Sequence, residues 1–215
     1  MHLDPDEPAV AAWRRLDHAG LRAELERLLT ASGTRLVLVD GRSGAGKTTA
    51  AERIARALHA AIVHTDDIAW NHSIFDWDDL LVEHVISPWR AGASFTYTPP
   101  GWLSHDRPGA IEVPATRTLV VEVVGACRVS LAERCDLTVW VQSDRTAARE
   151  SGIGRDISLG RTPEEAREFW DEWMGAEDPF QAASRPWTRA RLIVRGTTAL
   201  PLDPDHLHVA DGPLN

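Results

Sequence analysis

The chain has 215 residues, with 23 basic and 32 acidic side chains and a net charge of −9. That acidic balance excludes a general binder of nucleic acid or of an anionic membrane surface. No apolar run approaches the roughly 20 residues of a membrane span, and 43% apolar with 26% charged residues is the composition of one globular domain. Among the 23 basic residues Lys47 is the only lysine. In an arginine-rich chain, a lone lysine marks a place that the larger planar guanidinium cannot fill.

The first residues, Met1 to Pro8, are acidic and lack the basic and apolar regions of a signal peptide. Cys127 and Cys135 are too few for a disulfide framework and match no zinc spacing, so they read as buried thiols of a cytoplasmic protein. Residues 8–31 carry a helical pattern through Val10, Trp13, Leu16, Leu21, Leu25, Leu28 and Leu29, closed by Gly33. The apolar run Arg35–Asp40 predicts a strand buried on both faces. A glycine-rich turn over 41–46 follows, and then a helix over 47–59. Further strands are expected at Ala61–His64, Thr118–Val124, Leu137–Val141 and Arg191–Val194. Helices are expected over 76–90, 146–152 and 163–174, with a long irregular excursion over 91–116. Residues 197–215 read as a tail with an edge strand around Leu207–Val209. Alternating strands and helices predict an α/β fold with a five-stranded parallel sheet between two helix layers. Ligands of such sheets bind beyond the carboxyl ends of the strands.

The segment Gly41-Arg42-Ser43-Gly44-Ala45-Gly46-Lys47-Thr48 fits the phosphate-loop (Walker A) pattern in full, with a strand before it and a helix after it. Its glycines let successive N–H groups face an anion, and the helix N-terminus adds partial positive charge. Gly41, Ser43, Gly44, Ala45, Gly46, Lys47, Thr48 and Thr49 are therefore the expected nucleotide contacts. Lys47 suits the β- and γ-phosphates, and the Thr48 hydroxyl suits Mg²⁺. The second strand ends at Asp66 and Asp67. One of them, with Asp66 favoured, is placed to accept a proton from an attacking hydroxyl, and the other to hold magnesium-bound water. Glu122 is the one acid in a buried strand, where a carboxylate needs a partner or a metal, so it joins Thr48 and Asp67 as an expected metal-site residue. Arg145, Arg149, Arg155 and Arg161, spaced by Gly152, Gly154 and Gly160, suit a lid over transferring phosphates, with Arg149 and Arg155 favoured. Nine tryptophans against one tyrosine suggest an indole-lined acceptor pocket. Trp70, Trp77 and Trp102 are its expected walls, with Tyr97 and Arg107 as polar contacts. Glu172 and Glu177 read as solvated.

These motifs resemble the uridine kinase-like branch of the P-loop kinases, which includes phosphoribulokinase and bacterial pantothenate kinase. The phosphate loop Gly41–Thr48 is shared by many families. His64-Thr65-Asp66-Asp67-Ile68 is similar to that branch's Asp-x-Phe signature, with Ile68 in place of the aromatic. Arg149 and Arg155-Asp156-Ile157-Ser158-Leu159-Gly160-Arg161 are similar to the lid of uridine–cytidine kinases. Glu122 falls at the acid of the branch's Val-x-Glu-Gly strand, with Val123 in place of glycine. The resemblance spans about residues 34–196. It implies a P-loop kinase core over residues 34–200, with an acceptor-site excursion at 91–116 and a lid at 145–178, an N-terminal helix (1–33) packed on it and a tail (201–215). It also implies strand order 2-3-1-4-5, ATP and Mg²⁺ as cofactors, Asp66 as base, and a small-molecule hydroxyl acceptor. The acceptor class stays open among a nucleoside, a sugar and an antibiotic-like metabolite. A regulatory ATP-binding module that hydrolyses slowly is the alternative from another class.

Overall fold

The computed structural model describes residues 1–69 and 73–214, apart from the side chain of Asp66. Trp70 therefore lies outside the described residues. In chain order the elements open with β1 (Arg14–Leu16), α1 (His18–Leu28), β2 (Arg35–Gly41), α2 (Lys47–Leu58), β3 (Ala61–His64) and α3 (Asp66–Ala69). Next, α4 (Asp78–Leu81) runs through a π-helical turn, Val82–Ile86, into α5 (Ser87–Arg90). β4 (Phe95–Tyr97), α6 (Pro100–Ser104) and β5 (Ile111–Val113) form the excursion, followed by β6 (Thr118–Glu122), α7 (Val129–Ala132) and β7 (Leu137–Gln142). The chain then runs through α8 (Arg145–Ser158), α9 (Pro163–Ser184), β8 (Leu192–Arg195) and β9 (Leu207–Asp211).

Among the described residues the main sheet has seven strands in the order β1-β9-β8-β7-β2-β6-β3: the five expected parallel strands, β9 where an edge strand was expected around Leu207–Val209, and β1. The five expected strands run β3-β6-β2-β7-β8 and are mutually parallel. In sequence order that is 2-3-1-4-5. The two additions are antiparallel and come from the chain's ends, β9 on β8 and β1 on β9. Side-chain alternation in β2 explains the three layers. Val37 and Val39 pack with Leu21, Leu25 and Ile54 of α1 and α2, whereas Leu36 and Leu38 pack on the other face with Trp77, Leu81 and Trp89.

Four expectations are corrected. Helical structure does not begin at residue 8, because the Asp17 carboxylate accepts from the Gly20 N–H at 2.8 Å and caps α1. Residues 14–16 instead take up the hydrogen bonds of the β9 edge. The helix expected over 146–152 continues to Ser158, since Gly152 and Gly154 stay within it. Gly152 is where the Trp170 ring of α9 lies against α8, and a Cβ there would sit 1.9 Å from that ring. α9 starts as expected, with Thr162 and Glu165 forming a capping box, but runs on to Ser184. The excursion is not irregular throughout, as β4 and β5 pair into an antiparallel hairpin. Among the described residues no helix is long and apolar enough to cross a membrane.

Candidate active site

The phosphate loop leaves the carboxyl end of β2, the middle one of the five parallel strands, and enters α2 through Gly46. Gly44 has φ +75°, and a Cβ on it would lie 2.0 Å from the Ala148 carbonyl oxygen, so only glycine lets the loop pass under α8. No side chain caps α2. Its first N–H groups are thus left to a ligand, which suits an anion. From below, Thr197 donates its N–H to the Ala45 carbonyl at 2.9 Å and its hydroxyl to the Gly44 carbonyl at 2.9 Å.

Asp40, which the sequence offered only as a strand end, anchors the loop's start. Its carboxylate is fully buried and accepts the N–H groups of Gly41 (2.7 Å), Gly125 (2.8 Å) and Cys127 (2.8 Å). It thereby ties the end of β2 to the chain leaving β6. Burial pushes this carboxyl up to about 6, although the three N–H groups and Lys47 pull the other way. Asp40→Ala strands three buried donors and is expected to cost about 3 kcal/mol or more in chemical denaturation at pH 7. A loss under about 1 kcal/mol would show that water replaces the carboxylate. Because the folded value is raised, this group's pH-linked stabilisation is full below its ordinary 3.8 and lost as pH rises through about 6. The gap between parent and variant should therefore widen as pH falls from 7 to 5.

Lys47, Thr48 and Glu122 come together. The Lys47 ammonium donates to the Arg42 carbonyl at 3.1 Å and stands 4.0 Å from the Glu122 carboxylate. The Thr48 hydroxyl lies 3.3 Å from Glu122 Oε2, and His64 Nδ1 reaches the same oxygen at 2.8 Å. Burial works to raise the Glu122 carboxyl, but the His64 bond and the Lys47 charge outweigh it, and the group sits below its ordinary value. His64 ends β3, and its pairing with Glu122 follows from the parallel register that sets the two residues opposite each other. One buried carboxylate beside one hydroxyl suits Mg²⁺, which keeps most of its shell as water and phosphate oxygen. Among the described residues no cluster of three or more His, Cys, Asp or Glu side chains forms a complete protein cage for a metal.

A cleft of about 680 Å³ opens over this centre. Ser43, Gly44, Gly46, Lys47, Thr48 and Thr49 form its floor, and Glu122 stands at one side. Gly41 and Ala45 belong to the loop without lining the cleft. The far wall is α8 and α9, through Arg155, Phe169, Trp170 and Trp173. Of the two favoured arginines, Arg155 lines the cleft. Arg149 does not: it is half-buried and pairs with Asp171 at 2.6 Å, whereas Arg155 is exposed and pairs with Asp156 at 3.1 Å. Trp77 stands behind the cleft wall and is fully buried in the core.

Tyr97, Trp102, Arg107 and Asp67 are drawn elsewhere. Tyr97 stacks on His84 with centroids 4.8 Å apart. The Arg107 guanidinium lies 3.8 Å over the Trp102 ring and pairs with Asp67 at 2.8 Å, while the Trp102 indole donates to the Asp67 carbonyl at 2.7 Å. These contacts pin the excursion to the turn after β3 and commit the Asp67 carboxylate to Arg107 instead of to Thr48 and Glu122.

Glu177 is neither solvated nor remote. It is fully buried and accepts the Ser43 N–H at 2.9 Å and the Trp173 indole N–H at 2.6 Å. Its neighbour Asp178 holds Arg42 at 2.9 Å and Arg145 at 2.6 Å, and Asp4 binds Arg42 from the N-terminal segment at 2.6 Å. α9 is thereby fastened to the phosphate loop. The four-residue step from Trp173 to Glu177 was the available signal. Glu172 is exposed.

No protein-family model matches the chain, and neither does any curated protein sequence. Among solved structures, one similar chain is a candidate fructose transport system kinase from Silicibacter sp. TM1040, at 17% identity and TM-score 0.46, covering 70% of this chain and 86% of that one. A candidate uridine kinase from Bacillus stearothermophilus is 17% identical with TM-score 0.44, covering 76% and 93%. Shikimate kinase from Bacteroides thetaiotaomicron is 18% identical with TM-score 0.33, covering 72% and 84%. These three structural neighbours of the chain are kinases by their names.

Proposed function

We propose that this chain is an ATP-dependent kinase that transfers the γ-phosphoryl group to a hydroxyl of a small molecule. The observation that carries the reading is the floor of the cleft. An uncapped helix N-terminus, a buried lysine and a threonine–glutamate pair converge at the carboxyl end of a central parallel strand. Backbone N–H groups of the loop and of α2 would hold the phosphates, and Lys47 would offset charge on the β- and γ-oxygens. Thr48 and Glu122 would hold Mg²⁺, which supplies charge neutralisation to the triphosphate when bound. In the transfer, the acceptor oxygen forms a bond to the γ-phosphorus while the bond from that phosphorus to the β–γ bridging oxygen breaks, and ADP leaves. The hydroxyl proton goes to a carboxylate, a role that the sequence resemblance gives to Asp66. Arg155 on the cleft wall would meet the charge that spreads over the γ-oxygens. The cleft also extends past β6, beyond the Thr48–Glu122 pair, and that second arm favours transfer to an acceptor over hydrolysis alone.

The test is ADP release from Mg·ATP with and without small hydroxyl compounds. At least one compound should raise it above the rate with ATP alone. ADP release that no hydroxyl compound changes but a protein partner does would overturn the kinase in favour of the regulatory module.

A further inference from the structure

Arg42 is the first variable position of the phosphate loop, and its side chain does not line the cleft. It is buried, and its Nη2 donates to Asp4 Oδ1 at 2.6 Å and to Asp178 Oδ1 at 2.9 Å. Its carbonyl accepts from the Lys47 ammonium at 3.1 Å. Arg145 closes the group, with Nη2 2.6 Å from Asp178 Oδ2 and Nε 3.7 Å from Asp4 Oδ1. Two arginines and two aspartates form a ring whose charges cancel. Three of them come from the phosphate loop, the start of α8 and α9. Asp4 comes from the segment before β1.

That segment is docked by bonds that do not use the Asp4 carboxylate. The His2 N–H donates to Asp144 Oδ2 at 2.6 Å, and the His2 carbonyl accepts the Arg145 N–H at 2.8 Å. Glu7 is buried and accepts the Trp140 indole N–H at 2.6 Å and the Gln142 amide at 2.9 Å. Gln142 also accepts the Val10 N–H at 3.1 Å and donates to the Pro8 carbonyl at 2.9 Å. Residues 2–10 therefore lie across the end of β7 and the start of α8. Both elements flank the phosphate loop, since β7 pairs with β2 and the Ala148 carbonyl of α8 faces Gly44. From this fixed platform Asp4 reaches the loop. Stability is a poor account of the pair, because taking two charges out of water costs as much as their attraction returns unless every polar atom is satisfied. Asp4 Oδ2 and Arg42 Nε are buried with no hydrogen-bond partner among the described residues. What the pair fixes is position. Arg42 is gripped from the N-terminal segment and from α9, and its carbonyl is the one that holds Lys47.

Resting on the kinase reading above, we propose that Asp4 is a positioning residue of the nucleotide site: residues 2–10 brace the phosphate loop through Arg42 and so hold Lys47 and the loop N–H groups on the phosphates. The test is the Kd of the full chain for Mg·ATP by titration calorimetry, beside a thermal melt that confirms folding at the titration temperature. Asp4→Asn keeps an oxygen for Arg42 but removes the charge. It should raise Kd about tenfold, one hydrogen bond's worth of lost preorganisation. Arg42→Gln should do the same. Because Asp4 acts through Arg42, the double variant should also stay near tenfold instead of reaching the roughly hundredfold of two independent losses. Glu7→Gln is the control for a structural role. It lies on the same segment, is buried and is outside the ring, so it should leave Kd within about twofold even where the melt falls. Asp4→Asn at the parental Kd, or a Glu7→Gln variant that moves Kd as far, would overturn the brace and leave the kinase reading standing. Tighter binding by Asp4→Asn would overturn it too, since a released Arg42 would then be a phosphate ligand. If Asp4→Asn does not fold, Arg42→Gln at the parental Kd is the overturning result. A parent chain that binds no Mg·ATP would overturn both readings.

Discussion

Lys47→Ala should lose at least about a thousandfold in kcat/KM for ATP while keeping its fold, and Lys47→Arg should recover little of it. The ammonium is buried beside the loop, 3.1 Å from the Arg42 carbonyl and 4.0 Å from Glu122. It thus bridges the loop's own backbone and the Mg²⁺ side of the proposed site. A point cation with three rotatable donors can keep the carbonyl and still turn to a phosphate oxygen. A planar guanidinium holds its donors in one fixed fork and cannot turn from the Arg42 carbonyl to a phosphate oxygen in the same way. Steady-state kinetics of both variants, beside a thermal melt, separate the chemical loss from unfolding. Parental ADP release by Lys47→Ala would sink the phosphate-loop assignment. An arginine variant at parental rate would leave the lone lysine of the chain without a physical reason.

The parts of the molecule that were legible in the sequence are those written in short-range pattern. β2 is an unbroken buried run ending in a glycine-rich turn, and such a run in a parallel sheet has the same appearance whatever packs on it. Glu122 stood out because a single acid in an apolar strand needs a partner, and its partners prove to be Thr48, His64 and Lys47. Residues whose role depends on distant chain were not legible. Asp40 looks like the polar end of a strand until Gly125 and Cys127 are brought to it from 85 and 87 residues away. Arg107 and Trp102 looked like acceptor contacts because they fall in a proline-rich excursion, yet the hairpin of β4 and β5 directs them to Asp67. Residues 14–16 fit a helical period through Trp13 and Leu16, but the edge of β9 offers backbone hydrogen bonds that no period reveals. Glu177 was masked by its acidic surroundings on α9. The buried stripe Ala166, Trp170, Glu177 and Gln181 marks it as an interior position once the helix is known to run past Met174.

Glu177→Ala should lower kcat/KM for ATP about a hundredfold, the scale of loss when a reacting group is displaced by about 1 Å. Two donors lose this acceptor together: the Ser43 N–H in the phosphate loop and the Trp173 indole N–H, which keeps its bond to Ser43 Oγ. An unpaired buried Ser43 N–H costs about 1–3 kcal/mol, and the loop can relieve it only by moving away from α9. Because Asp178 and Arg42 still join the same two elements at 2.9 Å, the chain should stay folded while the loop shifts locally. Glu177→Gln should fall between parent and alanine. Its carbonyl can keep the Ser43 bond, but its amide then sets one N–H donor against that of Trp173. A structural loss alone would act on any contact of α9, so Asp171→Ala is the control. Asp171 lies on the same helix and binds Arg149, yet it is exposed and off the cleft. Its removal should leave kcat/KM for ATP within about twofold, as expected for a surface ion pair. If Glu177→Ala and Asp171→Ala behave alike, the α9 carboxylate is packing and not a brace for the phosphate loop. If alanine and glutamine at 177 are equally impaired, the Ser43 bond is not the one that matters.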